Sequence, residues 1–276
     1  MSNVLIPSTT IPVGEEGLPV LSRGRYQARL INGVDQTGGV GDLKRAQQLR
    51  GQCFGRSTLD ADALDSRCQH MLVEDRSSGF LVCCFRLLLL PSGAHLADSY
   101  ASQRYDLRSL YSRKGRLLEL GRFCIHPDWQ DADILRLAWG ALTAFVDHHD
   151  VELLFGCSSF AGTRTEPYLH ALSLLRARHQ VKPEQGVGQP IGPRAAETLH
   201  LAALELPAPD SKRALQEMPP LLRSYLMMGG WVSDHVVVDR DLNTLHLFTG
   251  VDIASIPAAR KRLLRAVAAG FDEAGA

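Results

Sequence analysis

Residues 117–127, with the sequence LLELGRFCIHP, form the stretch that decides the fold. Its apolar residues are nearly continuous, which is typical of a strand buried on both faces, yet it contains Glu119 and Arg122. Charged side chains are rarely buried without a partner. The stretch therefore predicts a central strand that carries a functional site.

In a regular strand Glu119 and Arg122 point to opposite faces, because successive side chains alternate. A bulge at Gly121 would bring both to one face, and glycine permits the backbone conformation that a bulge requires. The alternative is a buried ion pair that only holds the sheet together. Such a pair is often no more stabilising than hydrophobic residues of similar volume, so a site is favoured.

Composition limits the class of protein. The 276 residues, 45% hydrophobic and 22% charged, predict a globular chain with a substantial core. Lys+Arg 30 balance Asp+Glu 30, so no net charge favours nucleic acid. The absence of a long apolar run or signal-peptide pattern predicts a cytoplasmic protein. The six cysteines lack disulfide or zinc-site spacing, so we expect reduced thiols and no metal.

The segments around residues 117–127 predict a mixed sheet with helices. Asp131 or Asp133 is expected to cap a helix, and residues 151–155 form another buried strand, so strand, helix and strand predict parallel neighbours. The remaining segments predict, in chain order, a strand at 26–30, a helix at 42–54, a short helix at 59–68, a hairpin of 71–74 with 80–90, helices at 167–179 and 220–228, a hairpin of 231–238 with 245–251, and a basic helix from 257.

Five groups of residues are informative as a set: Leu49-Arg50 with Phe54, Asp62 with Asp65, Glu119-Leu120-Gly121-Arg122, His126-Pro127, and residues 154–160, LFGCSSF. Together they resemble the L-ornithine N-acyltransferases of bacterial ornithine-lipid synthesis. That family is similar to the GNAT fold and, more distantly, to the acyl-homoserine-lactone synthases, which carry a comparable Glu-x-x-Arg on the fourth strand.

The resemblance implies an α/β fold, a GNAT-like mixed central sheet flanked by helices, with a C-terminal helix-hairpin-helix extension. With the composition of the chain, it predicts four parts: a disordered leader at 1–22, an acyltransferase core at 23–182, a Gly/Pro-rich loop at 183–193, and a C-terminal portion at 194–276 that completes the sheet and ends in the basic helix.

The activity that the resemblance implies is transfer of a 3-hydroxyacyl chain from acyl carrier protein to the α-amine of L-ornithine, giving lyso-ornithine lipid. No bound cofactor is expected, since the donor is the phosphopantetheine thioester of the carrier. GNAT enzymes that use coenzyme A cradle its pyrophosphate with Gln/Arg-x-x-Gly-x-Gly/Ala. Here residues 130–135, QDADIL, lack both glycines, which favours a protein-borne pantetheine.

The expected chemistry assigns roles to the residues of the motifs. Glu119 would deprotonate or orient the amine, and Arg122 would fix its geometry or bind the carboxylate of the amino acid. Backbone N–H groups near residues 123–125 would bind the oxyanion, and Asp62 and Asp65 would meet the side-chain amine. The other expected substrate-binding residues are Arg50, Phe54, Phe123, His126, Gly156, Cys157, Ser158 and Ser159.

Several alternatives remain open. His126 is a second candidate base or a structural residue at a strand end, and a covalent acyl-enzyme on Cys157 is disfavoured because an amine attacks a thioester directly. The chain could also act on another amine, as a homoserine-lactone synthase does, or bind acyl carrier protein without catalysis. The basic C-terminal helix is expected to be solvated or to meet the acidic carrier or an anionic inner membrane.

Overall fold

The computed structural model describes residues 18, 20–33, 40–56, 58–181, 192–193 and 197–269. The strands are β1 Leu21–Arg23, β2 Tyr26–Asn32, β3 Gln69–Asp75, β4 Leu81–Leu90, β5 Tyr105–Asp106, β6 Arg116–Ile125, β7 Val151–Ala161, β8 Gly192–Pro193, β9 Thr198–His200, β10 Trp231–Val232, β11 His235–Asp239 and β12 Thr244–Asp252. The α-helices are α1 Val40–Cys53, α2 Ala132–His148, α3 Leu169–Arg178, α4 Ser211–Glu217, α5 Pro220–Met227 and α6 Ala258–Ala269.

One ten-stranded sheet organises the molecule. Its order is β1-β2-β3-β4-β6-β7-β12-β11-β9, with β10 beside β12, and β5 and β8 pair separately. Only β6 and β7 run parallel among the neighbouring strands of the described residues, because α2 forms the crossover between them. This mixed sheet with its flanking helices confirms the predicted α/β, GNAT-like fold.

Strands β6 and β7 separate halfway along their length. They pair from Arg116 with Val151 to Glu119 with Phe155, whereas β7 pairs with β12 from Leu153 to Ala161. Beyond Glu119 the β6 backbone therefore has no pairing with β7, and a wedge-shaped opening lies between the two strands. The C-terminal part of the chain completes the sheet through β12 and so supplies one wall of this opening.

The bulge predicted in β6 is present, but its predicted position at Gly121 is wrong. Arg86 pairs with Gly121 and Cys84 with Cys124, so Arg122 and Phe123 together lie opposite one residue of β4. Arg122 itself adopts the left-handed conformation, with φ 54°. That conformation costs a non-glycine residue about 1–3 kcal/mol, which the ion pairs of its side chain can offset.

Helix α2 covers one face of the sheet and positions the crossover. Asp131 caps it by accepting a hydrogen bond from the backbone N–H of Asp133. Its buried stripe consists of Ile134, Leu137, Ala138, Ala141, Leu142 and Phe145. Helix α6 packs alongside, where Arg265 pairs with Asp147 at 2.8 Å. No helix of the described residues has the length and apolar character that a bilayer span requires.

Two local predictions differ from the structure, and a third falls mostly outside the described residues. The helix expected at residues 59–68 is wrong, since only a 3-10 turn forms at Asp65–Arg67 and Asp62 binds the backbone N–H of Leu64 at 2.9 Å instead. The disordered leader was placed too far into the chain, because β1 begins at Leu21, while residues 1–17 and 19 lie outside the described residues. Most of the loop at 183–193 also lies outside them.

Gly156 permits the close approach of β6 and β7 where they begin to separate. A Cβ atom at this position would lie 2.3 Å from the carbonyl oxygen of Leu120. We predict that Gly156→Ala lowers the free energy of unfolding by about 1–3 kcal/mol, because the overpacked strands must shift. Urea unfolding measures the effect. Gly41→Ala is the matched control, since its Cβ meets nothing within 4 Å and should not destabilise the helix.

Candidate active site

A cavity of about 380 Å³ fills the opening between β6 and β7. Leu135 of α2, residues 219–222 at the start of α5, and Thr244 and His246 of β12 close its sides. Seven of the residues singled out from the sequence line this cavity: Phe54, Glu119, Arg122, Phe123, Cys157, Ser158 and Ser159. The β6 bulge and the β7 strand end therefore bring together most of the expected site.

Glu119 is 5% exposed and binds the segment that covers the cavity. Its carboxylate accepts hydrogen bonds from the backbone N–H groups of Tyr100, at 2.8 Å, and Ala101, at 2.7 Å. Burial raises the pKa of this carboxyl group, and the two N–H groups oppose that rise. The alternative of a Glu119–Arg122 pair that holds the sheet together is wrong, because backbone groups bind the carboxylate.

Arg122 points from the bulge toward two aspartates. Its Nε donates to Asp60 at 2.8 Å, its Nη2 donates to Asp62 at 3.3 Å, and its guanidinium lies 5.0 Å from the ring centroid of Tyr100. Burial opposes the charged form, but Asp60, Tyr100 and Asp62 together raise the pKa of Arg122. The guanidinium is therefore a fixed positive charge on the cavity wall.

Arg50 and Asp65, which were predicted as substrate-binding residues, are not among the residues that line this cavity or the one adjoining it. Arg50 is 1% exposed and donates to Asp60 and to Asp65, each at 2.8 Å. Asp65 also accepts from Arg86 at 2.9 Å. Buried charges must be paired, and here the guanidinium groups and the carboxylates form their hydrogen bonds with one another. They form the support behind Arg122 and Asp62.

His126 and Gly156, which were also predicted as substrate-binding residues, are not among the residues that line the cavity. The ring of His126 packs edge-on against Phe80, with centroids 5.2 Å apart, and its Nδ1 accepts from the backbone N–H of Asp128 at 3.3 Å. His126 is thus a structural residue of the strand end. Gly156 instead spaces the strands, since its backbone lies against that of Leu120.

Cys157 lines the cavity but is a poor nucleophile. Burial and the neighbouring Glu119 raise the pKa of its thiol, so the thiol stays protonated at neutral pH. The thiolate is the reactive form, which argues against a covalent acyl-enzyme at this position. Its neighbour Ser158 is oriented by Thr249, whose hydroxyl donates to the Ser158 hydroxyl at 2.9 Å.

A second cavity, of about 310 Å³, adjoins the first and shares Tyr100, Arg122 and Leu242 with it. Asp60 and Asp62 line this second cavity, as do residues that the sequence analysis missed: Arg104, Asp239 and Asp241. His246, on the wall of the first cavity, was missed as well. It could have been found by the criterion that identified Glu119, because it is an ionisable residue within the apolar run 245–251.

The buried ion pairs predict a pH-dependent contribution to stability. Burial opposes ionisation of Asp65, but Arg50, Gln47 and Arg86 outweigh it and lower its pKa. Asp65→Asn should cost about 3–5 kcal/mol at pH 7, because Arg50 and Arg86 each lose one of their two carboxylate partners in a buried site. The Asp65 carboxylate stabilises the folded state fully above its unfolded pKa of about 3.9, and this contribution is lost as the pH falls toward its folded pKa.

Urea unfolding of wild type and Asp65→Asn between pH 7 and pH 3 measures this effect. The difference between the two proteins should be constant above about pH 4.5 and shrink below it. The matched control is Asp98→Asn, which removes a carboxylate from an exposed ion pair with Arg67 and should cost no more than about 1 kcal/mol. The result would contradict the role assigned to Asp65 if the difference in free energy of unfolding between the two proteins grew as the pH fell.

Comparisons with known proteins find a matching family model and similar solved structures. An acetyltransferase (GNAT) domain model matches residues 47–140. Among solved structures, an N-acyl amino acid synthase from uncultured soil microbes is 10% identical and covers 90% of this chain and 99% of its own, with a TM-score of 0.46. The coenzyme-A-dependent acyl-homoserine lactone synthase BjaI is 14% identical over 85% of each chain, with a TM-score of 0.42.

Curated relatives cover most of the chain. The L-ornithine N(alpha)-acyltransferase of Rhodobacter capsulatus is 32% identical over 83% of this chain and 85% of its own length. That of Brucella abortus is 31% identical over 78% and 82% respectively. These matches confirm the family predicted from the motifs. The chain is an acyltransferase and belongs to the L-ornithine N(alpha)-acyltransferase family.

Proposed function

We propose that the protein transfers a 3-hydroxyacyl chain from the phosphopantetheine thioester of acyl carrier protein to the α-amine of L-ornithine, forming lyso-ornithine lipid. One observation carries the proposal: the family relatives match most of the chain, and the β6 and α2 walls of the cavity lie within the segment 47–140 that the GNAT domain model matches. An extended thioester and an amino acid can meet in that cavity, at the separation of the strands.

In the mechanism that we propose, holding the amine and the thioester in position contributes more to catalysis than general-base assistance does. Holding an amine and a thioester in attack geometry contributes roughly 7–11 kcal/mol, whereas general-base assistance contributes about 3–5 kcal/mol. Glu119 is suited to the second role, because its buried carboxyl has a raised pKa and so accepts a proton more readily near neutrality. In the proposal Glu119 takes the proton of the attacking ammonium, directly or through one water molecule.

Backbone N–H groups of β6 would stabilise the oxyanion. Beyond Glu119 this strand is not paired with β7, so the backbone groups on that side open into the cavity. The bulge turns the backbone at residues 122–123, and N–H donors of residues 123–125 would meet the thioester carbonyl. One such donor typically contributes about 3–4 kcal/mol to the transition state. Arg122 holds the shape of the bulge through Asp60 and Asp62.

The start of α2 supports a carrier protein as donor. In GNAT enzymes that use coenzyme A, the N-terminus of this helix faces the pyrophosphate, yet here Asp131 already binds the N–H of Asp133. Tyr26 donates to Asp131 at 3.0 Å, and Asp133 pairs with Arg23 at 2.9 Å. Two carboxylates at this point disfavour a diphosphate. The basic helix α6 is a candidate surface for the acidic carrier or for an anionic membrane.

The first test is a product assay. Purified protein is incubated with 3-hydroxyacyl carrier protein and, in separate reactions, with ornithine, lysine, homoserine or glutamine, and the amides are identified by mass spectrometry. We expect N-acyl-ornithine as the main product. Amide formation on homoserine or glutamine but not on ornithine would contradict the proposed acceptor, and no amide with any amine would contradict the proposed reaction.

Glu119→Gln tests the proposed base. An amide cannot take a proton from the ammonium, so kcat should fall by at least about tenfold while the KM for the acyl carrier stays within about threefold. Circular dichroism checks the fold, because the amide cannot accept from both Tyr100 and Ala101. Glu205→Gln, at an exposed position, is the matched control. Undiminished turnover in Glu119→Gln would remove this residue from the mechanism.

A further inference from the structure

The second cavity, which we call the acidic chamber, is lined mainly by charged side chains. Four carboxylates and three guanidinium groups line it: Asp60, Asp62, Asp239 and Asp241 with Arg56, Arg104 and Arg122. Arg104 pairs with Asp239 at 3.3 Å, and the other two guanidinium groups pair with Asp60. Asp241 has no ion pair within the part of the chain that the structure describes. Asp241 is exposed, and its carboxylate can attract a cationic ligand.

His246 provides an independent indication of a ligand at the boundary of the chamber. It is 2% exposed, lines the reaction cavity, and its Nε2 has no hydrogen-bond partner among the described residues. That nitrogen lies 4.0 Å from Oδ2 of Asp239, a chamber residue. A buried polar atom without a partner is costly, so a bound group that completes it is expected.

The tautomer of His246 determines whether a bound group must donate or accept a hydrogen bond at Nε2. The Tyr105 hydroxyl donates its single proton to the His246 carbonyl at 2.9 Å, so its oxygen must accept from Nδ1–H at 3.0 Å. Nε2 therefore keeps its lone pair and acts as an acceptor. Burial, which Asp239 opposes, lowers the pKa of His246 to about 4 and keeps the ring neutral.

Arg104 offers the complementary donor. Its Nε is buried and has no hydrogen-bond partner in the described residues, although its terminal nitrogen pairs with Asp239. An unpaired guanidinium N–H next to a cavity suits a carboxylate. The chamber and its boundary thus combine one unpaired acceptor, one unpaired donor and one unpaired carboxylate, at His246, Arg104 and Asp241.

We propose that the acidic chamber binds a diamino acid, with its side-chain ammonium against Asp241, its carboxylate at Arg104, and its α-nitrogen directed at His246 Nε2. This assignment rests on the proposed function and identifies where the amine substrate of that reaction binds. The α-nitrogen then lies at the junction with the reaction cavity, where the thioester is expected. Asp241 discriminates between acceptors because only a cationic side chain compensates its charge.

The test compares ornithine with norvaline, which has the same carbon chain without the side-chain amine. Wild type and Asp241→Asn are assayed for amide formation with both acceptors, and ornithine binding is measured by calorimetry without an acyl donor. For Asp241→Asn we expect a KM for ornithine at least tenfold higher, kcat within threefold, and an ornithine-to-norvaline preference at least tenfold lower. Asp147→Asn, at an exposed ion pair with Arg265, is the matched control.

A second variant keeps the test decisive if Asp241→Asn fails to fold. Arg104→Gln should raise the KM for ornithine and norvaline alike, because both carry the α-carboxylate. Unchanged KM and unchanged preference in Asp241→Asn, or equal loss of kcat for both acceptors, would overturn the assignment of the chamber. An inactive wild type that still binds ornithine through Asp241 would contradict the proposed reaction but not the chamber.

Discussion

The fold of the site depends on a buried network of three arginines and three aspartates. Arg50 of α1, Arg86 of β4 and Arg122 of β6 alternate with Asp60, Asp62 and Asp65 of the connecting loop. Removing any one charge would take a partner from at least two other charges of this network. The network therefore fixes the loop against three elements, and it supports Arg122 in its left-handed conformation. Without this support, neither the bulge nor the wall between the two cavities would keep its shape.

The residues that line the cavities differ from those of the supporting network, because some of their polar atoms have no partner within the protein. Behind the cavities, the arginines and aspartates bind one another. At the cavity walls, by contrast, His246 Nε2 and Arg104 Nε lack hydrogen-bond partners in the described residues. The β6 backbone beyond Glu119 is not paired with β7, and Asp241 has no ion pair among those residues. In a preorganised site, the supporting residues form all their hydrogen bonds with one another. The polar groups on the cavity walls keep free positions, which the ligand then binds.

The sequence predicted the elements but not all of their contacts. The β6 strand was found because a carboxylate and a guanidinium interrupt its apolar run, and the crossover to β7 followed from the helix between them. The bulge was misplaced by one residue, since a strained Arg122 depends on ion pairs that sequence spacing does not show. Arg50 and Asp65 were taken for ligands because buried support and substrate contacts use the same residue types. Asp241 and His246 are distant in sequence from Glu119, so only the tertiary structure places the three residues on the walls of two adjoining cavities.

The most direct measurement is a crystal structure with ornithine and a pantetheine analogue whose thioester is replaced by an unreactive linkage. The account predicts the acyl chain and pantetheine between β6 and β7, the carbonyl oxygen within hydrogen-bond distance of backbone N–H groups at residues 123–125, and the ornithine α-nitrogen between that carbonyl and the acidic chamber. Ligand density outside the opening between these strands, or an α-nitrogen remote from both Glu119 and His246, would contradict it.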